Sequence, residues 1–439
     1  MPLTLSVIGC GYLGAVHAAC MAELGHTVIG IDTDAAKVAA LMSGHAPFFE
    51  PGLDELLERT IASGRLRFST DFADAAPATV HFLAVGTPQQ ADSQAADTRY
   101  VDAAVGALLP VLKSGDLVVG KSTVPVGTAA ALAVRVAEAE PGAMLAWNPE
   151  FLREGFALQD TMAPDRLVYG LPEGDDADRA RALLNEVYAT ALAVGTPLIE
   201  AGYSTAELVK VAANAFLATK ISFINAMAEI AEVVGADVTL LADAIGHDSR
   251  IGRRFLNAGI GFGGGCLPKD IRAFASRAAE LGRGESVAFL GEVDAINLRR
   301  RQKAVDLTLE AINKPASEAR IAVLGLAFKP DSDDVRDSPA LDVATSLFGR
   351  GAKVVATDPQ AIENARRLHP QLTYLASAEE AATGADAVVL VTEWADYRGL
   401  DPVAFAKVVA NPIIVDGRNC LDAAAWRAAG WTYIGMGRS

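Results

Sequence analysis

The chain has 439 residues, 51% of them hydrophobic, which is enough apolar material for two or three packed cores and excludes a disordered polyelectrolyte. A formal charge of −16 excludes nucleic acid or an anionic membrane surface as the main partner, and makes any locally placed Lys or Arg worth following. The cysteines, Cys10, Cys20, Cys266 and Cys420, have neither zinc-ligand nor disulfide-framework spacing, so no metal and a reducing compartment are expected.

The amino-terminal stretch lacks the basic region and short apolar run of a secretion signal. The most apolar helical stretch, Val211 to Ile230, is interrupted by Lys220 and Glu229, and on that ground no segment is expected to span a bilayer. A soluble, cytoplasmic protein follows as the expectation.

Leu3 to Ile8 reads as a strand ending in Gly9-Cys10-Gly11-Tyr12-Leu13-Gly14. Ala15 to Leu24 reads as helix closed by Gly25, and Thr27 to Ile31 as a second strand ending at Asp32. Strand, GxGxxG, helix, strand and acid in this order form a dinucleotide fingerprint. Gly9 serves the tight turn, Gly11 the approach of a pyrophosphate, and Gly14 the packing of helix on strand. The pyrophosphate would rest on the helix N-terminus. Asp32 would bond the adenosine ribose and repel a 2′-phosphate, favouring NAD over NADP, a preference that nearby Lys37 tempers. Cys10 reads as a bystander.

Val80 to Val85 and Leu117 to Gly120 read as further strands, ending in Gly86-Thr87-Pro88 and Lys121-Ser122-Thr123-Val124-Pro125. In an open α/β sheet such carboxyl ends line the ligand crevice. Met144 to Trp147 leads into Asn148-Pro149-Glu150-Phe151-Leu152-Arg153-Glu154-Gly155, where the four-residue spacing of Glu150 and Glu154 predicts a shared helix face. That pair is either solvated or orders water at a crevice rim.

From Ser204 the pattern becomes helical. Ala206 to Val234 reads as one long helix, with Lys210 and Asn214 on one side of it. The lysine either snorkels or is held as a buried cation for an anionic group. Arg250, Arg253 and Arg254 bring positive charge ahead of Gly261-Phe262-Gly263-Gly264-Gly265-Cys266-Leu267-Pro268-Lys269-Asp270. Pro268 suits the first position of a helix read over Ile271 to Leu281, which leaves Cys266 at its positive end, where a thiolate is favoured. The same residues also fit a glycine-rich turn around a small buried cysteine. Ala288 to Leu309 reads as another long helix, and the helical segment as spacer and dimer interface.

Ala319 to Leu324, Lys353 to Thr357, Ala387 to Thr392 and Ile413 to Val415 return to short strands, with Asp358 and Asp416 after two of them. Here the glycine fingerprint is absent and Phe328 and Lys329 stand in its place, suited to base stacking and phosphate pairing. The expected fold is α/β: two Rossmann-like doubly wound domains, residues 1–200 and 316–439, joined by a central all-helical domain, 201–315, with a long connecting helix.

GCGYLG (9–14), VGTP (85–88), KSTVP (121–125), NPEFLREG (148–155), ELVKVAANAFLATKISFIN (207–225), GFGGGCLPKD (261–270), GLAFKPDSDDVRDSP (325–339) and DGRN (416–419) together resemble one family over almost the whole chain. It is the UDP-glucose/GDP-mannose dehydrogenase family, and GLAFKPDSDDVRDSP, with TEW (392–394) and DGRN, is most similar to its members acting on UDP-glucose. The resemblance implies an NAD-dependent four-electron oxidation of a UDP-sugar C6 alcohol to a carboxylate. By the match of residues, Cys266 would capture the aldehyde as a thiohemiacetal and carry a thioester to hydrolysis. Lys210 and Asn214 would share the developing oxyanion, Asp270 would work with an ordered water, and Thr123 and Glu150 would order water and handle protons.

By the same match Gly9, Gly11, Tyr12, Leu13, Gly14, Asp32, Lys37, Thr87, Thr123, Glu154 and Arg336 would contact NAD. Phe151, Leu152, Lys210, Asn214, Arg250, Phe255, Gly263, Phe328, Lys329 and Arg418 would hold the nucleotide sugar, with Arg250 reaching across a homodimer. Gly265 stands where the family commonly has serine. Three other readings stay open: the same chemistry on GDP-mannose or a UDP-N-acetylhexosamine, a one-step hydroxyacid dehydrogenase indifferent to Cys266, and a nucleotide-sensing scaffold.

Overall fold

The computed structural model describes residues 2–438. Short runs of Val, Ile and Leu between turns build the strands Thr4–Ile8 (β1), Thr27–Ile31 (β2), Leu66–Ser69 (β3), Val80–Leu83 (β4), Leu117–Gly120 (β5), Met144–Trp147 (β6), Leu167–Leu171 (β7) and Leu198–Gly202 (β8). They form an eight-stranded sheet in the order β3-β2-β1-β4-β5-β6-β7-β8. All its pairs are parallel except β6 with β7. β4, β5 and β6 are buried along their whole length, as strands covered on both faces must be. β2 lies on one side of β1 and β4 on the other, so the carboxyl ends of β1 and β4 meet at a topological switch point, where such sheets bind ligands.

The helix after β1 spans Tyr12–Glu23, beginning inside the glycine turn rather than at Ala15, and Gly25 follows its end with φ +103°. β3, β7 and β8 go beyond the strands read from the sequence.

A second sheet comprises Arg320–Leu324 (β9), Lys353–Thr357 (β10), Thr373–Tyr374 (β11), Ala387–Leu390 (β12), Ile413–Asp416 (β13) and Thr432–Gly435 (β14). These six strands are parallel, in the order β11-β10-β9-β12-β13-β14, and reverse around β9 as the first sheet reverses around β1. Between the sheets in sequence lie the long helix Tyr203–Val234, the helix Leu267–Glu280 and the helix Phe289–Ile312. Packing groups the chain into two units: one runs up to Ala213 and includes Ser276–Gly282, and the other holds Asn214–Ala275 and everything from Arg283 on. The boundary falls inside the long helix.

One expectation loses its stated ground here, and another fails. Tyr203–Val234 is, by length and composition, long and apolar enough to cross a membrane, because two charges such as Lys220 and Glu229 do not offset so many Ala, Val, Ile and Phe; 44% of its most apolar window is buried inside the protein. And Asn148 to Phe156 is a loop, so Glu150 and Glu154 share no helix face. The left-handed Gly155, φ +77°, would end any helix right after Glu154.

Candidate active site

In the first unit each fingerprint glycine answers its own constraint. Gly9 has φ +90°, and a Cβ there would stand 2.6 Å from Val85 Cγ1. A Cβ on Gly14 would lie 1.8 Å from the Gly9 carbonyl oxygen, so this glycine sets how closely helix meets turn. A Cβ on Gly11 would meet nothing within 4 Å, so its smallness serves no internal packing and suits the approach of a pyrophosphate to the helix N-terminus. The Asp32 carboxylate accepts the Cys10 and Asp34 N–H groups at 2.8 and 3.0 Å and pairs with Lys37 Nζ at 2.8 Å. Burial opposes its ionisation, but those partners, Lys37 foremost, outweigh burial and hold it below the usual carboxylate value. Cys10 is buried, and burial reinforced by Asp32 pushes its thiol far up, which suits a bystander.

The loops that end the neighbouring strands are tied to each other. Thr87 donates its hydroxyl to the Thr123 carbonyl at 2.7 Å. Lys121, the first residue after β5, is buried; its Nζ donates to Asn148 Oδ1 at 3.0 Å and lies 3.3 Å from the Tyr188 hydroxyl. The rings of Phe82 and Tyr188 each stand 5.8 Å from that nitrogen. Burial brings the Lys121 pKa down to about 8, with Glu150 pulling it up and Lys210 adding to the fall. Glu150 accepts the Leu152 N–H at 2.6 Å and stands 3.4 Å from Lys210 Nζ. Lys210 is 7% exposed and lies 5.5 Å over the Phe151 ring, so of the two readings of this lysine the structure realises the buried cation. Tyr12, Leu13 and Glu154 are half-buried in this unit.

In the second unit Cys266 is exposed and immediately precedes the helix Leu267–Glu280. Its carbonyl accepts the Asp270 N–H at 2.9 Å, which makes it the N-cap residue, so Pro268 takes the second helical position rather than the first. One turn on, Asp270 is buried; its carboxylate accepts Asn214 Nδ2 at 2.7 Å and Lys269 Nζ at 2.6 Å. Asn214 is thus engaged with Asp270 and Lys210 with Glu150, although the two share a helix side.

Buried side chains pin the turn ahead of Cys266 from several directions. Asn225 accepts the Gly259 N–H at 2.9 Å, and Asn297 accepts the Phe262 N–H at 2.7 Å while donating to the Phe262 carbonyl at 2.9 Å. Arg301 also donates to that carbonyl, at 3.0 Å, and Arg418 to the Gly261 carbonyl at 2.8 Å. These contacts hold the thiol on a pre-organised turn. The reading of motifs assigns no role to Asn225 or Asn297; both amides are wholly buried, and the sequence carries a signal only for Asn225, which sits among Phe223, Ile224, Ala226 and Met227.

The glycines of the turn make room chiefly for the protein itself. A Cβ on Gly263 would lie 2.2 Å from the Asp337 carbonyl oxygen, and one on Gly264 2.8 Å from the Phe328 ring. At Gly265 it would overlap the Arg336 guanidinium, 2.4 Å from Cζ, so a serine there would oblige that flexible arginine to move. Phe328 carries Lys329 Nζ 5.3 Å from its ring centre. Arg336 is exposed and clasps Asp334 with Nε and Nη2 at 2.9 and 2.7 Å. Arg418, expected on the sugar, donates to the carbonyls of Val391, Gly261 and Phe328 at 2.8, 2.8 and 3.0 Å. Phe255 is a partly exposed non-glycine residue at φ +67°. Arg250 has an 86% exposed side chain paired with Asp248 at 2.6 Å. Asp358, the counterpart of Asp32, spends its carboxylate on the Leu326 and Ala327 N–H groups and Trp394 Nε1, at 2.7, 3.0 and 3.1 Å. Contacts therefore join Asp32 to Lys37, Thr87 to Thr123 and Lys210 to Glu150 in the first unit, and Asn214 to Asp270 and Arg418 to Phe328 in the second.

Comparison with known proteins matches residues 3–192 to the NAD binding domain of the UDP-glucose/GDP-mannose dehydrogenase family, 204–299 to its central domain and 322–423 to its UDP binding domain. A UDP-glucose 6-dehydrogenase of Rhizobium meliloti (strain 1021) is 42% identical over 439 residues, 99% of this chain and 100% of that protein. A UDP-glucose dehydrogenase structure from the hyperthermophilic archaeon Pyrobaculum islandicum is 40% identical, with TM-score 0.90 over 100% of this chain and 98% of that one. A UDP-D-ManNAc dehydrogenase structure from Pyrococcus horikoshii is 27% identical, with TM-score 0.86 over 99% of each chain.

Proposed function

Since this chain belongs to the UDP-glucose/GDP-mannose dehydrogenase family, we propose that it oxidises the C6 alcohol of UDP-glucose to the carboxylate of UDP-glucuronate with NAD. The observation that carries this reading is Cys266, an exposed thiol at the N-terminus of a helix with the buried Asp270–Asn214 pair one turn on. Helix-terminal N–H groups favour the thiolate. NAD, when bound, accepts a hydride from C6 in each of the two oxidations. The turn 9–14, Asp32, Lys37, Thr87, Thr123 and Glu154 are the residues proposed to hold it, together with Arg336, and the open face of Gly11 supports the fit.

The thiolate attacks the aldehyde carbon, forming a C–S bond and a thiohemiacetal whose oxygen carries the negative charge. Lys210 and Asn214 are the donors proposed for that oxygen. The second oxidation leaves a thioester; water adds to it, the C–S bond breaks, and the carboxylate and thiol are released. Glu150, Thr123 and Asp270 are proposed to order water and move its protons. Phe328 and Lys329 suit a base and a phosphate, and Phe151, Leu152, Phe255, Gly263 and Arg418 complete the proposed sugar-nucleotide contacts, Arg418 by fixing main chain. Functionally the chain divides into 1–200 for NAD, 201–315 for dimerisation and chemistry, and 316–439 for the UDP-sugar. The protein is proposed to work as a soluble cytoplasmic homodimer, with Arg250 completing the partner's site, and to supply a uronic acid for polysaccharide synthesis.

A substrate panel tests this. UDP-glucose is expected to turn over faster than GDP-mannose or UDP-N-acetylhexosamines, and Cys266→Ser to stop before acid release. Faster turnover of GDP-mannose, or a fully active Ser variant, would sink the reading.

A further inference from the structure

Glu50 lies in Phe49-Glu50-Pro51-Gly52, outside every motif used above. It is 6% exposed, and the donors that fill its carboxylate are uncharged. Oε2 accepts the Gly155 N–H at 2.6 Å and the Tyr12 hydroxyl, while Oε1 accepts the Ala157 N–H at 2.7 Å. Tyr12 Oη in turn accepts the Gly155 N–H at 3.1 Å. A carboxylate withdrawn from water is tolerated when its lone pairs are filled in this way.

Ala157 opens the helix Ala157–Met162, whose N-cap residue, Phe156, brings no side-chain acceptor, and Gly155 lies just ahead of it. Glu50 supplies that acceptor from a distant part of the chain. Its own position is set by the main chain: its carbonyl accepts the Leu53 N–H at 3.1 Å, and Gly52, φ +80°, turns into the helix Leu53–Ala62. Tyr12 is the first helical residue after the open Gly11. The loop that ends at Gly155 carries Glu150 and Glu154. One buried carboxylate therefore joins the dinucleotide turn to the loop of both glutamates, within a single unit.

We propose that Glu50 is a positioning residue which, through Tyr12 and the Gly155 and Ala157 amides, fixes the Glu154 end of the 148–156 loop against the dinucleotide turn and so sets NAD affinity. The proposal rests on the NAD-dependent reading above. Glu50→Gln preserves shape but turns one acceptor into a donor facing a main-chain N–H, and Tyr12→Phe removes only the hydroxyl. NAD affinity is measured on the full chain by direct titration, without sugar, alongside the melting temperature.

Glu50→Gln is expected to weaken NAD binding roughly tenfold at temperatures where it stays folded, the size of one lost charge-assisted hydrogen bond. Tyr12→Phe should act in the same direction, and the double variant should bind NAD no worse than Glu50→Gln, since both act through one contact. A lowered melting temperature with unchanged NAD affinity would mark a mere helix cap and overturn the proposal, as would additive effects. If Glu50→Gln does not fold, Glu50→Asp, which keeps the charge but draws it back from the Gly155 and Ala157 amides, decides by the same criterion. Titration needs no turnover, so a wild type that binds NAD but leaves UDP-glucose unoxidised would refute the enzymatic reading without touching this one.

Discussion

Lys121 is a residue whose chemistry depends on burial. Its pKa of about 8 in the folded chain stands against an ordinary 10.5, so between those values the unfolded chain binds more protons. Stability from this group is therefore lowest and flat below about pH 8 and rises as pH climbs toward 10.5, by about 3 kcal/mol in all. Thermal unfolding of wild type and Lys121→Met across that range should show wild type gaining on the variant as pH rises; parallel profiles would contradict the assignment. At this scale the sequence was informative about residue types and silent about partners. Cys266, Lys210, Asp270 and Glu150 were legible because chemistry-bearing types stand in motifs. That Lys210 turns to Glu150 and Asn214 to Asp270 was not, because helical spacing shows a shared face but not what that face meets. Glu50 and Asn225 escaped because their partners lie 105 and 34 residues away.

The element that decides cofactor binding is the turn between β1 and the helix Tyr12–Glu23, and its glycines separate folding from binding. Gly14→Ala would place a methyl 1.8 Å from a main-chain oxygen that cannot yield, and should cost about 3 kcal/mol or more. Gly11→Ala meets nothing within 4 Å and sits at φ −71°, so it should leave stability within about 1 kcal/mol and weaken NAD. Melting curves with NAD titrations check both; equal effects on stability would contradict this division. Elements were readable where a hydrophobic run follows a glycine and ends at an aspartate, as at Thr27–Ile31 and Lys353–Thr357. Helix starts were read late where no Ser, Thr, Asp or Asn stands ahead of them, as at Gly11 and Cys266. The 148–156 loop was misread because a four-residue charge spacing looks the same in a helix and in a loop that turns at Gly155.

At the scale of the molecule, two sheets of like topology serve different ends. Asp32 accepts the Cys10 N–H next to the open Gly11 and pairs with Lys37, whereas Asp358 accepts the Leu326 and Ala327 N–H groups and Trp394 Nε1. The open Gly11 in the first turn, and Phe328 with Lys329 in the second, support a dinucleotide on one and a different nucleotide on the other. The proposed dimer has a physical basis in the long helix, where Phe216, Phe223 and Ile230 recur every seven residues and are 66%, 49% and 56% exposed. Such a stripe suits a partner helix. Phe223→Asp is expected to give monomers by light scattering, with activity largely lost because Arg250 no longer reaches a partner; a fully active monomer would refute that role. The central claim is that one cysteine carries the sugar through two oxidations. Limiting UDP-glucose with excess NAD should yield two NADH per sugar and UDP-glucuronate as the product; one NADH per sugar, with an aldehyde as the end product, would contradict it.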